Sequence, residues 1–174
     1  GHVVDVQGRT LLCIDTPGHA RHHFCAWDAR SEGWFTGDTF GLSYRELDSS
    51  NGPFVLPTTS PVQFEPDALK ASITRLLSYR PQSMYLTHYG RVGDVERLGR
   101  DLHAQIDAMV AIGKACDGQQ DRHERMRDAL TVLYLQRAHA DGCLLDDAAI
   151  LGVLGMDIEL NAQGMAAWLD RDKR

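Results

Sequence analysis

An apolar, β-like run near the start of the chain, Leu11-Leu12-Cys13-Ile14, leads through Asp15 into the turn Thr16-Pro17-Gly18-His19. Two later runs end in the same way: Gly33-Trp34-Phe35-Thr36 before Gly37-Asp38-Thr39-Phe40-Gly41, and Ser83-Met84-Tyr85-Leu86 before Thr87-His88-Tyr89-Gly90. Strand ends are held by the sheet, and the turns beyond them let side chains converge. Imidazole and carboxylate groups are good ligands for zinc and iron. The three turns therefore predict that His19, Asp38 and His88 form a metal site.

The pattern around these turns predicts a β-rich first part of the chain. Residues 3–14 read as a hairpin, and residues 23–28 and 34–36 read as a second pair of strands. Residues 41–64 contain several prolines and no regular pattern, and a loop of this length is usually functional or disordered. A helix then begins at Pro66, which suits a first-turn position, and its apolar residues recur at helical spacing.

From Asp94 onward the apolar residues follow helical spacing, and turns that contain glycine separate four predicted helices. The third of these runs from Asp146 to Leu154, and Gly155 separates it from the fourth. Met165, Trp168 and Leu169 on the fourth form an apolar face that would serve as core or as a dimer contact. We therefore divide the chain into a β-rich portion at 1–93 and a helical extension at 94–174.

With these motifs in this order, the chain resembles the second half of a metallo-β-lactamase-fold hydrolase. The resemblance covers about residues 1–95 and rests on the three turns that carry His19, Asp38 and His88. It implies an α/β fold, namely half of a four-layer αββα sandwich followed by a C-terminal helical subdomain. It also implies that His19 binds one metal, that Asp38 bridges two, and that His88 binds the second. Two zinc ions are the cofactors that the resemblance implies, with iron or manganese as alternatives.

The sequence departs from that family in one important respect. The family's His-x-His-x-Asp-His motif, which supplies several of the metal ligands, does not occur in the chain. The sequence therefore reads as the C-terminal portion of a larger enzyme, and we expect the isolated chain to be inactive. We expect it to pair with the missing N-terminal half or to form a homodimer.

Composition narrows the class of protein. The chain has 174 residues, of which 43% are hydrophobic and 24% charged, as in a soluble globular domain. Its formal net charge of −6 argues against a nucleic-acid surface, and no apolar run approaches the roughly 18 residues of a membrane span. Cys13 and Cys25 lie in apolar runs and read as buried free thiols, which favours a cytoplasmic protein. We expect a small-molecule substrate.

The resemblance and the position in the chain also suggest roles for other residues near the turns. In the resembling family a second histidine follows the Pro-Gly-His turn, and it falls on His23, for which an orienting role is implied. His22 beside it is expected to be exposed. Tyr44, Arg45 and Tyr89 lie next to the ligand turns and either contact substrate or pack. Three histidines in the helical part read as surface residues: His103, His123 and His139.

The leading functional hypothesis is hydrolysis by a metal-activated hydroxide. A divalent cation lowers the pKa of a bound water toward neutrality, and the hydroxide would attack an ester, thioester, lactone, amide or phosphoester. Asp38 is the predicted catalytic residue, because it would hold the metal pair and orient the nucleophile. Two alternatives remain open. One is a mononuclear iron enzyme of the same fold that oxidises a thiol or persulfide, and the other is a non-catalytic dimerisation or interaction module.

Overall fold

A computed structural model describes residues 1–59 and 63–172, and within these residues six strands form one mixed sheet. The strands are β1 (His2–Val6), β2 (Arg9–Asp15), β3 (Phe24–Asp28), β4 (Gly33–Gly37), β5 (Ser83–Leu86) and β6 (Gly90–Val92). Their order in the sheet is their order in the chain, and every neighbouring pair is antiparallel except β4 and β5. The predicted hairpin and the predicted second strand pair are both confirmed.

The parallel pair β4–β5 requires a crossover, and helix α1 (Pro66–Leu77) provides it. Pro66 lies in the first turn of the helix. Backbone N–H groups there have no partner within the helix, so proline costs no hydrogen bond at this position. Leu69, Ile73 and Leu76 are buried, as their spacing predicts. The indole N–H of Trp34 on β4 donates to the carbonyl of Leu76 at 3.1 Å. The crossover thus brings the ends of β4 and β5, and the turns that follow them, to the same edge of the sheet.

The helical part differs from the prediction in one respect. The structure contains α2 (Val95–Cys116), α3 (Arg122–Ala140) and α4 (Asp147–Asp172), so the predicted third and fourth helices are a single helix. Gly155 lies inside α4 with open space where a Cβ would stand. Glycine in a helix interior costs only about 1 kcal/mol. Ile150, Leu154 and Ile158 continue the buried face across it, and their packing offsets that cost.

The two faces of the sheet have different surroundings. Trp34 and Met84 occupy paired positions on β4 and β5 and are fully buried on the face that the helices cover. On the other face, Phe35 and Tyr85 stack with their ring centroids 4.9 Å apart. Phe35 is 44% exposed and Phe24 on the next strand is 60% exposed, so this face of the sheet is open to solvent.

The predicted irregular segment alternates buried and exposed residues over 41–59. Its residues 60–62 lie outside the described residues. A 3₁₀ turn spans Arg45–Leu47, and an isolated bridge joins Leu42 to Leu56. Both bridge residues are buried, as is Phe54 between them. The segment therefore forms part of the hydrophobic core, which continues from the sheet into the helices. The boundary between residues 93 and 94 stays a prediction.

Several smaller predictions can be compared with the structure. All four cysteines are free; Cys25 is buried as predicted, whereas Cys13 is only partly buried. Met165, Trp168 and Leu169 are buried within the chain.

Of the helices in the described part of the chain, none combines the length and the apolar composition that crossing a bilayer needs.

Candidate metal centre and its cleft

The turns after β2, β4 and β5 bring the three predicted ligands together. His19 Nε2 lies 3.5 Å from Asp38 Oδ2, and His88 Nε2 lies 3.5 Å from Asp38 Oδ1. The two oxygens of one carboxylate thus face two different imidazoles. Asp38 Oδ1 is buried and has no hydrogen-bond partner. The His19 and Asp38 side chains are 17% and 27% exposed, and His88 is 50% exposed, so the group lies at the bottom of an open cleft.

The tautomer of His19 is set by the backbone of a distant loop residue. His19 Nδ1 lies 3.2 Å from the carbonyl oxygen of Thr58. Because a carbonyl oxygen can only accept, Nδ1 donates and carries the proton. Nε2 then keeps its lone pair and faces Asp38. The Thr58 hydroxyl also donates to the carbonyl of Asp38 at 3.1 Å, so one residue fixes both ligand turns.

His23 does not reach the group but holds its aspartate turn. The backbone N–H of Asp38 donates to His23 Nε2 at 3.0 Å. On the other side of the ring, Nδ1 lies 3.0 Å from Thr39 Oγ1 and 3.2 Å from Thr16 Oγ1. Since Nε2 accepts, Nδ1 carries the proton and the ring is neutral. Burial lowers the pKa of His23, and the neighbouring His19 lowers it further. His22 is exposed, as predicted.

The first two ligand turns need glycine because neighbouring residues lie too close for a side chain. Gly18 has a φ of +131°, and a Cβ there would lie 2.2 Å from the backbone nitrogen of Leu69 on α1. Gly37 has a φ of +50°, and a Cβ there would lie 2.4 Å from His23 Nε2. Any larger residue at either position would move a ligand turn.

His88 sits on a strained turn that an arginine supports. Tyr89 has a φ of +74°, a region that costs a non-glycine residue about 1 kcal/mol. The guanidinium of Arg45 donates to the carbonyls of Tyr89 and Arg91, at 3.0 Å and 2.7 Å. Arg45 therefore stabilises the turn that presents His88, a role that the sequence reading did not assign to it. The Tyr89 ring lies 4.6 Å from the Tyr44 ring.

Helix α4 closes one side of the cleft, which has a volume of about 270 Å³. Four residues of α4 line the cleft: Met156, Asp157, Leu160 and Asn161. Asp157 Oδ2 accepts a hydrogen bond from the Tyr44 hydroxyl at 2.8 Å. Burial raises the pKa of the Asp157 carboxyl above its ordinary value. The predicted helical extension thus lines the same cleft as the predicted ligands.

The donor set fits metal binding only in part. Two imidazole nitrogens and a carboxylate are suitable ligands for zinc, and the partnerless Asp38 Oδ1 lacks the hydrogen bond that a buried acceptor normally has. However, within residues 1–59 and 63–172 no group of three or more His, Cys, Asp or Glu side chains is arranged so that it could hold a metal ion by itself. Each oxygen of Asp38 has one histidine beside it, so each of two adjacent positions has two donors. A zinc site needs about four.

Sequence reasoning missed Thr58 and the residues of α4. Thr58 follows a proline in an irregular segment and belongs to no motif, so only the length of that segment pointed to it. Met156, Asp157 and Leu160 lie in an ordinary helical pattern. Their role follows from where α4 packs, and local sequence carries no signal for that.

Two of the solved structures that resemble the chain are metallo-β-lactamase-fold proteins. One is a metallo-β-lactamase family protein from Thermus thermophilus, with 22% identity and a TM-score of 0.58 over 90% of this chain and 47% of that chain. The other is an archaeal metallo-β-lactamase superfamily protein from Sulfolobus tokodaii, with 22% identity and a TM-score of 0.55 over 94% and 48%. No protein-family model matches the sequence, and the search of curated proteins found no match. The likeness shows the fold, which is α/β and a partial metallo-β-lactamase fold as predicted, and the chain spans about half the length of these two structures.

Proposed function

We propose that the chain supplies one side of the active site of a metal-dependent hydrolase that binds two divalent cations, with zinc as the first candidate. His19 and Asp38 would hold one cation, and Asp38 and His88 the other. The observation that carries the proposal is the position of Asp38, whose two oxygens each lie 3.5 Å from a different histidine nitrogen. The buried Oδ1 without a hydrogen-bond partner supports a cation as the missing partner.

In the proposed reaction, bound divalent cations would lower the pKa of water toward neutrality and polarise the bond to be cleaved. The residues of this chain would prepare that chemistry. Asp38 contributes a negative charge between the two positions, which offsets the mutual repulsion of two cations. Thr58 holds His19 in the tautomer with a free Nε2, and His23 holds the backbone of Asp38. Hydrolysis of an ester, thioester or lactone would join the water oxygen to the acyl carbon and break the bond from that carbon to the alcohol oxygen or thiol sulfur, which takes up the proton that the water gives up.

Each proposed metal position has two donors from the described residues, so we propose that water and groups from elsewhere in the protein or from a partner chain supply the remaining ligands. The chain spans about half the length of the two solved structures that it resembles. We propose that the open face of its sheet, with Phe24 and Phe35, packs against the remaining half of the fold or against a second copy. We also propose a cytoplasmic location and a small-molecule substrate.

The test uses the protein expressed from its complete gene, with bound metal measured by mass spectrometry. Turnover is assayed on esters, thioesters, lactones, amides and phosphodiesters. Two zinc ions per protein, with both metal and turnover lost in Asp38→Ala, would support the proposal. One iron with oxygen consumption on a thiol would support the mononuclear alternative instead. A protein that binds no metal and hydrolyses none of these substrates would refute the hydrolase proposal.

A further inference from the structure

Two large apolar side chains on α4 face the cleft beside the proposed metal centre. Residues 156 and 160 are four positions apart, so they lie one above the other on the same side of the helix. Met156 is 76% exposed and Leu160 is 39% exposed, although both are apolar. The cleft that they line also contains His19 and His88. An apolar contact surface is therefore left open next to the groups that would carry the reaction.

The charge of the cleft restricts what could bind there. The described residues that line it include no lysine or arginine, but they include two carboxylates, Asp38 and Asp157. Arg45 is near the cleft, but its guanidinium is bound to the carbonyls of Tyr89 and Arg91. Apart from the proposed metal ions on the other side of the cleft, the described lining residues therefore offer no cationic side chain to the part of a substrate that lies against α4. A phosphate or carboxylate group at this position would be disfavoured.

We infer that α4 determines the substrate class: the cleft binds the neutral, apolar acyl group of an ester, thioester or lactone, and Met156 and Leu160 contact the acyl chain. This inference rests on the proposed hydrolase function. The cleft of about 270 Å³ is slightly smaller than the roughly 300–1,000 Å³ that holds drug-sized ligands. The described residues therefore give room for part of an acyl group, and the other side of the proposed active site would enclose the rest. On the α4 side, the Tyr44 hydroxyl is already bound to Asp157, so that wall offers the acyl chain mainly apolar surface.

A kinetic experiment tests the contact directly. The metal-loaded protein, expressed from its complete gene, is assayed on acetyl, butyryl, hexanoyl and decanoyl esters of one alcohol, and on a phosphodiester of the same alcohol. We expect the ester series to exceed the phosphodiester in kcat/KM, and kcat/KM to rise from acetyl to hexanoyl as the chain reaches Met156 and Leu160. Leu160→Ala and Met156→Ala should each lower the ratio of hexanoyl to acetyl kcat/KM by about tenfold, as loss of contact in an apolar pocket does. Val132→Ala is the matched control, because Val132 is 53% exposed on α3 outside the cleft.

A binding experiment gives a readout that does not depend on turnover. The chain has five methionines, and the four other than Met156 are fully buried. In protein labelled at the methionine methyl groups, the Met156 signal therefore reports on the cleft, and Met156→Leu identifies it. Titration with hexanamide, a neutral acyl analogue, should shift this signal in both the metal-loaded and the metal-depleted protein. Acetamide should shift it less, and dimethyl phosphate should leave it in place.

The outcomes separate this inference from the function on which it rests. An unchanged hexanoyl-to-acetyl ratio in both α4 variants, with normal metal content and turnover, would overturn the inference and leave the hydrolase proposal standing. A preference for the phosphodiester would do the same. If the protein binds no metal and hydrolyses none of the esters, thioesters, lactones, amides and phosphodiesters, but hexanamide still shifts the Met156 signal, the hydrolase proposal fails while the apolar acyl site stands.

Discussion

The side-chain oxygen of Asn161 accepts a hydrogen bond from the backbone N–H of Thr59 at 2.9 Å, across 102 residues of sequence. The amide nitrogen of Asn161 donates to the carbonyl of Pro57 at 3.0 Å. These two bonds bracket Thr58, whose carbonyl accepts from His19. Helix α4 therefore fixes the loop that orients a proposed metal ligand, in addition to lining the cleft.

Replacing Asn161 should destabilise the protein and disturb the His19 turn. The residue is 2% exposed, and its amide also donates to the hydroxyl of Tyr134 at 2.8 Å. Asn161→Ala removes three buried hydrogen bonds and leaves the Thr59 N–H unsatisfied, which should cost about 3 kcal/mol. Urea denaturation measures the loss. Gln163→Ala is the control on the same helix, because Gln163 is exposed, and it should change stability by less than about 0.5 kcal/mol. Equal stability of the two variants would contradict the account.

The parts of the fold that could be predicted are those specified by neighbouring residues. The strand-and-turn pattern around His19, Asp38 and His88 and the helix from Pro66 depend on local turn chemistry and periodicity, and both agree with the structure. The strand β6 (Gly90–Val92) was not predicted, because three residues are too few to show alternation. The link from Asn161 to Thr58 could not be predicted either, since it depends on packing between segments that are distant in sequence.

Substitutions at the four residues of the candidate centre should have graded effects in the protein from its complete gene. Asp38→Ala should lower turnover and metal content most, because it removes a donor from both proposed positions and leaves the repulsion between cations uncompensated. His19→Ala and His88→Ala should each have a strong effect, since each removes one ligand. His23→Ala should have the least effect, about 10–100-fold, because His23 only orients the Asp38 backbone.

His22→Ala is the control for this series, because His22 is exposed beside His23. The measurements are metal content and kcat/KM for each purified variant. Full metal content and near-normal turnover in Asp38→Ala would show that the assignment is wrong.

Acid should lower the free energy of unfolding, partly because Asp28 becomes protonated. This buried carboxylate accepts hydrogen bonds from the guanidinium of Arg9, from the hydroxyl of Ser31, and from the backbone N–H of Arg30 at 3.2 Å. The bond from Arg9 is the main cause that lowers the pKa of Asp28 below its ordinary value, and the bond from Ser31 adds to it. The unfolded chain therefore binds a proton at a higher pH than the folded chain does. The stabilisation is complete above the unfolded pKa of about 3.9 and is lost as the pH falls from there through the folded pKa.

Denaturation of the wild type and of Asp28→Asn over a range of pH checks this. The difference in unfolding free energy between them should be largest near neutral pH and should shrink as the pH falls below about 4. Asp128→Asn, at an exposed position on α3, serves as the control and should follow the wild type. A difference that does not vary with pH would exclude an electrostatic role for Asp28.

The open face of the sheet should make the 174-residue chain associate with itself when it is studied alone. Phe24 is 60% exposed and Phe35 is 44% exposed on this face, and Phe35 stacks on Tyr85. Burying apolar surface stabilises an association by about 25 cal/mol for each Å² removed from water. Sedimentation velocity should therefore show dimers or larger species whose fraction rises with concentration.

Phe35→Lys should shift the chain toward monomer, because a charge would have to be buried at the contact. Leu144→Lys should not, although Leu144 is fully exposed, because it lies outside the sheet, between α3 and α4. A wild-type chain that stays monomeric at all concentrations and melts in one sharp transition would argue against a missing partner for this face.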